Sequence, residues 1–440
     1  MSTKKKVLFA LLAIPLIGIG YAANYAYRYA LIGAGYNAKT VCSCVFVSGR
    51  SLESVVAEDL YGIPYGTKTI DTVAKTATAT LFGIASKTAL YRPKLGCTIL
   101  NEMTAEELRQ QPSITASSTP TEVLTDSVLP PSQQDAIKKT LDWAFAEPDP
   151  KHPVRTRAVV VLHKGKIVAE RYANGITPTT ALTGWSMTKS VTNAMMGMLV
   201  KDGKLDVNKP APVMEWANDN RKIITLDNLL RMSSGLKFDE VYSGVSDATK
   251  MLFSVAGAGK YAIQSPVEVP PATKWYYSSG TSNILQEIIR RQSKTHAEYL
   301  NFPHQRLFQK LGMNTAHLEP DPSGTFVGSS FLYASARDWA KFGQLYAQDG
   351  IWKGERLLPE GWVAYSSRET PHSEGKYAAQ FWIYVRKDGL PADSFTMNGF
   401  EGQFVLIIPS KQLVAVRLGC SPEEKYFDEV KFFKEIAAAF

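Results

Sequence analysis

Ser186-Met187-Thr188-Lys189 is an S-x-x-K whose two functional side chains suit acyl transfer. The serine hydroxyl can attack a carbonyl, and the lysine amine can take its proton if burial depresses the amine's pKa. The pattern alone says little, because the chain holds four: Ser2/Lys5, Ser186/Lys189, Ser234/Lys237 and Ser373/Lys376. Context separates them. Ser2 lies in the N-terminal basic segment, Ser234 is followed by Gly235, and Ser373 sits in a polar, Gly-containing loop. Only Ser186 stands directly before an amphipathic helix, expected over Met187 to Val200, with Val191, Ala194, Met195, Met198 and Leu199 at i, i+3, i+4, i+7 and i+8. One turn then returns Lys189 to the face of Ser186, and free N–H groups at a helix start favour a developing anion.

Two further segments carry matching chemistry. Trp275-Tyr276-Tyr277-Ser278-Ser279-Gly280 follows a proline-rich VPPATK and precedes a helix expected over Asn283 to Arg291, so one of its tyrosines could reach the Ser/Lys pair and relay protons. Asn398-Gly399-Phe400-Glu401-Gly402-Gln403 leads into an apolar strand, and paired glycines at a strand start allow a backbone N–H to approach a site closely. No H-E-x-x-H, G-x-S-x-G or G-x-x-x-x-G-K is present, so neither a metal nor another cofactor is required. Glu319, Asp321, Asp239 and Glu240 fall in loops near these segments and are expected mainly to brace them.

These residues need a scaffold, and the hydropathy pattern outlines one. RAVVVLHKGKIVAERY reads as a hairpin turning at Lys164-Gly165-Lys166, and FVLIIP and LVAVRLG as strands around Pro409 to Gln412. Residues 210 to 350 read mainly as helices and loops, and a last helix is expected from Glu424 to Phe440. Strands at both ends with helices between them indicate an α/β lobe plus a helical lobe. Between Met103 and Gln134 the aromatics vanish and Ser, Thr, Pro and Gln accumulate, the composition of an exposed linker. The expected division is 1–30, an address segment; 31–105, a small region packed on the main body; 106–134, a linker; and 135–440, the chemistry-bearing domain.

The chain has 440 residues, 45% hydrophobic and 20% charged, which excludes wholesale disorder and fibrous repeats. Half of the formal +8 charge sits on Lys4, Lys5, Lys6 and Arg28, so the body is too weakly basic to suggest nucleic acid. Behind the triple lysine, Val7 to Tyr27 carries no formal charge and has the length of a signal core or of one transmembrane helix, with Tyr21, Tyr25, Tyr27 and Tyr29 as an interfacial belt. The expectation is an uncleaved inner-membrane anchor with the body facing the periplasm; the alternative is a cleaved signal and a secreted or periplasmic protein. Of the four cysteines, an exported chain could pair Cys97 with Cys42 or Cys44.

Taken in order, S-x-x-K, Y-S-S and G-x-x-G-Q resemble the serine β-lactamase and penicillin-binding-protein superfamily, its class C-like branch, and within it the 6-aminohexanoate-dimer hydrolase type of amidase and esterase. LLRMSSGLKFDEVY, GTFVGSSFLYASARDWAKFGQLYAQDG and FVLIIPSKQLVAVRLG extend the likeness from about Asp135 to the C-terminus. The resemblance implies an antiparallel sheet flanked by helices, with a mainly helical lobe beside it. It implies Ser186 as the acylated nucleophile, Lys189 as its base, Tyr277 as proton donor, and the backbone N–H groups of Ser186 and Phe400 as an oxyanion hole. Trp185, Ser279, Asn398, Gly399 and Glu401 are then candidates to line the pocket of a small amide, ester or short-peptide substrate. Three positions depart from the family pattern: Ser279 replaces the asparagine of Y-x-N, Met397-Asn398-Gly399 stands for K-T-G, and Pro271-Ala272 for Pro-Gly. The first two remove an amide and a cation used in β-lactam recognition. A β-lactamase or D-alanyl-D-alanine peptidase, and a catalytically idle, membrane-tethered binding module of the same fold, remain as rival readings.

Overall fold

The computed structural model describes residues 3–115 and 124–440. Helix α1 (Thr3–Phe46) runs unbroken for 44 residues, about 66 Å at 1.5 Å per residue. Up to Tyr29 its described side chains are exposed, but from Ala30 onward it is part of the protein core, with Ala34, Asn37, Ala38 and Cys42 fully enclosed. It continues through α2 (Leu52–Glu58) into a four-stranded antiparallel sheet, β1 (Thr67–Asp71), β2 (Thr76–Leu81), β3 (Ala85–Arg92) and β4 (Gly96–Ile99), followed by α3 (Ala105–Gln110). A Cys42–Cys97 disulfide ties α1 to β4, while Cys44 and Cys420 are buried thiols. Buried Lys39 pairs with Glu319 of the main body, and Glu319 also accepts from Ser43 Oγ (2.9 Å) and the Cys97 N–H (2.7 Å). Asp59 is gripped by Arg50 (2.6 Å) and Arg157 (2.8 Å).

This arrangement corrects the expected anchor. Among the described residues, no helix is long and apolar enough to cross a membrane. The transmembrane helix, the membrane as a partner and the inner-membrane placement facing the periplasm are therefore withdrawn. The apolar run is the first part of a longer helix whose second half carries Asn37, Lys39, Thr40 and Ser43 and is buried against protein. The side chains of residues 3–15, with Lys4, Lys5 and Lys6, lie outside the described residues, as does 116–123 at the centre of the linker. After it, Asp126 bridges Ile167 in parallel, so this end of the linker lies along the sheet edge.

Helix α4 (Pro131–Ala144) leads to β5 (Thr156–His163) and β6 (Lys166–Tyr172), paired through the Lys164-Gly165 turn, both residues at positive φ as a tight hairpin needs. After the short β7 (Leu182–Thr183) comes α5 (Thr188–Lys201). The helical lobe follows: α6 (Leu226–Leu230), α7 (Asp247–Phe253), α8 (Ala258–Ile263), α9 (Ser279–Arg291), α10 (His296–Pro303) and α11 (Gln309–Leu311). Strands β8 (His317–Leu318) and β9 (Leu332–Ala334) join β7 in a small sheet, in the order β7-β9-β8. Then come α12 (Ala336–Ala347), the hairpin β10 (Ile351–Trp352) and β11 (Glu355–Arg356), and α13 (Trp362–Ser367). The chain closes with β12 (Phe395–Gly399), β13 (Gln403–Ile408), β14 (Leu413–Gly419) and α14 (Glu429–Ala438). This last helix begins five residues later than expected, capped by the Asp428 side chain.

The main sheet is antiparallel in the order β12-β13-β14-β5-β6. β5, β13 and β14 are largely apolar and buried because both their faces are covered, and the period of two sorts their side chains. Val159, Val161, Leu406 and Ala415 face α4 and α14, whereas Val160, Leu162, Val405 and Val414 face α12 and the core shared with the helical lobe. The expected α/β lobe with a helical lobe is thus present.

Asn193 fixes α5, the helix that carries Lys189. Its side-chain oxygen accepts from Tyr346 OH (2.6 Å), Trp362 Nε1 (2.9 Å) and Ser366 Oγ (3.1 Å), all buried. Asn193→Leu strands three donors at once and should lower the unfolding free energy by about 3–5 kcal/mol. Equilibrium urea unfolding checks this; a loss below about 1 kcal/mol would mean the network is replaceable.

Candidate active site

Two close approaches set the turn at Ser186. A Cβ on Gly184 would lie 2.2 Å from the Trp339 ring, and one on Gly399 would lie 2.2 Å from the Gly184 carbonyl oxygen. Glycine at both positions lets the end of β12 run directly against the chain entering Ser186. Trp185 then takes the left-handed backbone region (φ +45°), and a tight turn over Trp185–Met187 carries half-buried Ser186 into α5.

Lys189 follows one turn later, 1% exposed. Its Nζ donates to Ser186 Oγ (2.9 Å), Ser279 Oγ (3.1 Å) and the Ser329 carbonyl (3.0 Å). Burial lowers its pKa to about 8, opposed by the nearby Glu240 carboxylate. A neutral amine in this cradle keeps N–H donors for Ser279 and Ser329 and turns its lone pair to the Ser186 hydroxyl, the arrangement a general base needs. Ser329 is held in turn by Asn283, whose Nδ2 donates to Ser329 Oγ (3.0 Å).

Ser279, at the start of α9, links this pair to an acid. Its Oγ donates to Glu240 Oε1 (2.5 Å) and its N–H to Glu240 Oε2 (2.8 Å), a carboxylate seated at a helix N-terminus. Tyr242 OH lies 3.0 Å from Ser279 Oγ and donates to Glu240 Oε1 (2.8 Å). Glu240 therefore does more than brace a loop. Tyr242 was not among the residues picked out in the sequence: 37 positions separate it from Ser279, and only the fold brings the two together. Tyr277 approaches Lys189 with its ring, the Nζ 4.8 Å from the centroid, and stacks on Trp382 at 5.2 Å. Its neighbour Tyr276 is exposed.

The remaining candidates divide. Phe400 is exposed at the turn after Gly399 and sets its ring edge-on to Trp185 at 5.9 Å. Asn398 Nδ2 donates to Tyr384 OH (2.9 Å). Glu401 is buried and accepts from Trp185 Nε1 (3.0 Å), and burial raises its carboxyl to about 7. By contrast, Ser373 donates to the Tyr377 carbonyl and Lys376 pairs with Glu374, so that S-x-x-K is not joined into a site.

The profile of the family described as Beta-lactamase matches residues 141–432. The 6-aminohexanoate-dimer hydrolase of Paenarthrobacter ureafaciens is 24% identical over 293 residues, covering 61% of this chain and 73% of that protein. Among solved structures, a provisionally named 6-aminohexanoate-dimer hydrolase from Bacillus anthracis superposes with a TM-score of 0.60 at 21% identity, covering 72% of this chain and 87% of its own. A family VIII carboxylesterase does so with a TM-score of 0.56 at 14% identity, covering 72% of this chain and 100% of its own. At these identities the two structures bear on the fold alone.

Proposed function

The chain belongs to the Beta-lactamase family, and on that premise we propose that it is a serine hydrolase cleaving an amide or ester bond through an acyl-enzyme on Ser186, of the 6-aminohexanoate-dimer hydrolase and esterase type. The observation that carries the reading is Lys189 Nζ at 2.9 Å from Ser186 Oγ in a buried cradle that lowers the amine's pKa. As Ser186 Oγ bonds to the carbonyl carbon, its proton passes to Lys189. The oxyanion that forms is stabilised by the N–H groups of Ser186 and Phe400. Tyr277 protonates the leaving amine or alcohol as the bond to it breaks; a water molecule then gives a proton back to Tyr277 as its oxygen bonds to the acyl carbon, and Lys189 returns its proton to Ser186 Oγ as the acid departs. Ser279, bonded to both Lys189 and Glu240, sets behind the base a carboxylate that steadies its protonated form.

Met397 and Ser279 stand where β-lactam recognition uses a cation and an amide, and a site lacking those partners discriminates against such substrates. The purified chain should hydrolyse short p-nitrophenyl esters and linear amides with a burst of acyl-enzyme, and open a chromogenic cephalosporin at least about a hundredfold more slowly. A long-lived penicillin adduct with no ester or amide turnover would overturn this reading in favour of a penicillin-binding one.

A further inference from the structure

Beyond the Ser186–Lys189–Ser279 group, one set of contacts joins the N-terminal helix to the nucleophile turn. Trp185 precedes Ser186, and Glu401 follows Phe400. Both are non-glycine residues in the left-handed region, at φ +45° and +64°, a conformation that persists only when its surroundings hold it. Their side chains meet: the indole N–H of half-buried Trp185 donates to the buried Glu401 carboxyl group at 3.0 Å. On α1, Tyr36 lies parallel to the indole, with 6.3 Å between centroids and 6° between planes. Tyr36 is fixed in turn by its hydroxyl on the Asp59 carbonyl (3.1 Å) and by the edge-on Phe253 ring at 5.7 Å. Residues 30–46 of α1 lie outside the stretch that matches the family profile, yet they reach the residue next to the nucleophile.

We propose that the Trp185–Glu401 bond, backed by Tyr36 of α1, is a clamp that sets the spacing between the Ser186 and Phe400 N–H groups. The N-terminal helix is then a working part of the active site. Trp185, Glu401 and Tyr36 are positioning residues, and the inference rests on the reading of Ser186 as nucleophile with those two amides as its oxyanion donors. An oxyanion hole misplaced by a fraction of an ångström loses transition-state stabilisation while substrate still binds, so the clamp should act on kcat and not on KM.

The test uses full-length variants, a p-nitrophenyl ester and a fluorophosphonate serine label. Trp185→Phe keeps a ring but loses the N–H, and Glu401→Leu loses the acceptor. Each should lower kcat about 10- to 100-fold with KM within about threefold, and the double variant should be no worse than the poorer single one. Glu401→Gln retains an oxygen acceptor and should recover kcat to within about fivefold of wild type. Tyr36→Leu should lower kcat about tenfold, and Tyr36→Phe, which keeps the stacked ring, should recover most of it. Should Glu401→Leu fail to fold by circular dichroism, Trp185→Phe and Tyr36→Leu, which leave the carboxylate in place, carry the same test. Undiminished kcat in those two, or losses confined to KM, would overturn the clamp while labelling at Ser186 persists. A wild-type chain not labelled at Ser186 would remove the nucleophile reading and the clamp together.

Discussion

Ser186→Ala is expected to abolish fluorophosphonate labelling and to lower ester turnover by about 10⁴-fold or more, the scale on which loss of a serine nucleophile acts. The chain should otherwise stay intact. Lys189 keeps two of its three acceptors, Ser279 Oγ and the Ser329 carbonyl, so the buried amine is not stranded and the thermal midpoint should move by only a few degrees. The two rival S-x-x-K serines among the described residues are placed to fail, Ser2 lying outside them. Ser234 Oγ accepts the Leu236 N–H and Lys237 is exposed, while Ser373 is buried on the Tyr377 carbonyl. Mass spectrometry of the labelled wild type should find the adduct on the peptide containing Ser186. Persistent labelling of the alanine variant at another serine would remove the assignment.

The sheet and the Ser186–Lys189 contact could be read from the sequence because both rest on local signals. β5, β6, β13 and β14 are dense in β-branched residues around turns with identifiable chemistry. Lys189 lies one helical turn from Ser186, so the spacing alone predicts their contact. The segment Trp275 to Gly280 could be placed near that pair because it leads into a helix, though the sequence did not foresee that Ser279 would reach Lys189 in place of the motif's amide.

What could not be read depends on long-range packing. The run from Val7 to Tyr27 has the apolar density of a membrane span, and nothing local reveals that the same helix goes on to bury Asn37 and Lys39 against β-strands and Glu319. Glu240 and Tyr242 lie in a loop with no periodicity, and they gain a role only where the fold lays that loop over α9. Glu401 follows a proposed oxyanion donor and so invites a pocket assignment. What the sequence did not reveal is the turn at φ +64° that buries its carboxyl group on Trp185.

The second large effect concerns Lys189. Lys189→Met keeps much of the side chain's volume but leaves Ser186 without a base, and it should reduce kcat/KM by about 10³-fold. Lys189→Arg should do no better, because a guanidinium does not give up its proton near neutral pH. In the wild type the active form carries the neutral amine, and burial places the pKa at about 8. Activity should therefore climb about tenfold per pH unit below 8 and level off above it, with a single-proton slope. Stability moves in the same direction. The unfolded lysine holds its proton up to the ordinary value of 10.5, while the folded one releases it near 8, so the unfolded state binds more protons between those values and the fold gains stability as pH rises through that window. Glu240 opposes the shift, so Glu240→Gln should move the activity midpoint to lower pH. A pH profile that stays flat from 6 to 9, or a Glu240→Gln midpoint that moves upward, would show that Lys189 is not the group whose deprotonation turns the site on.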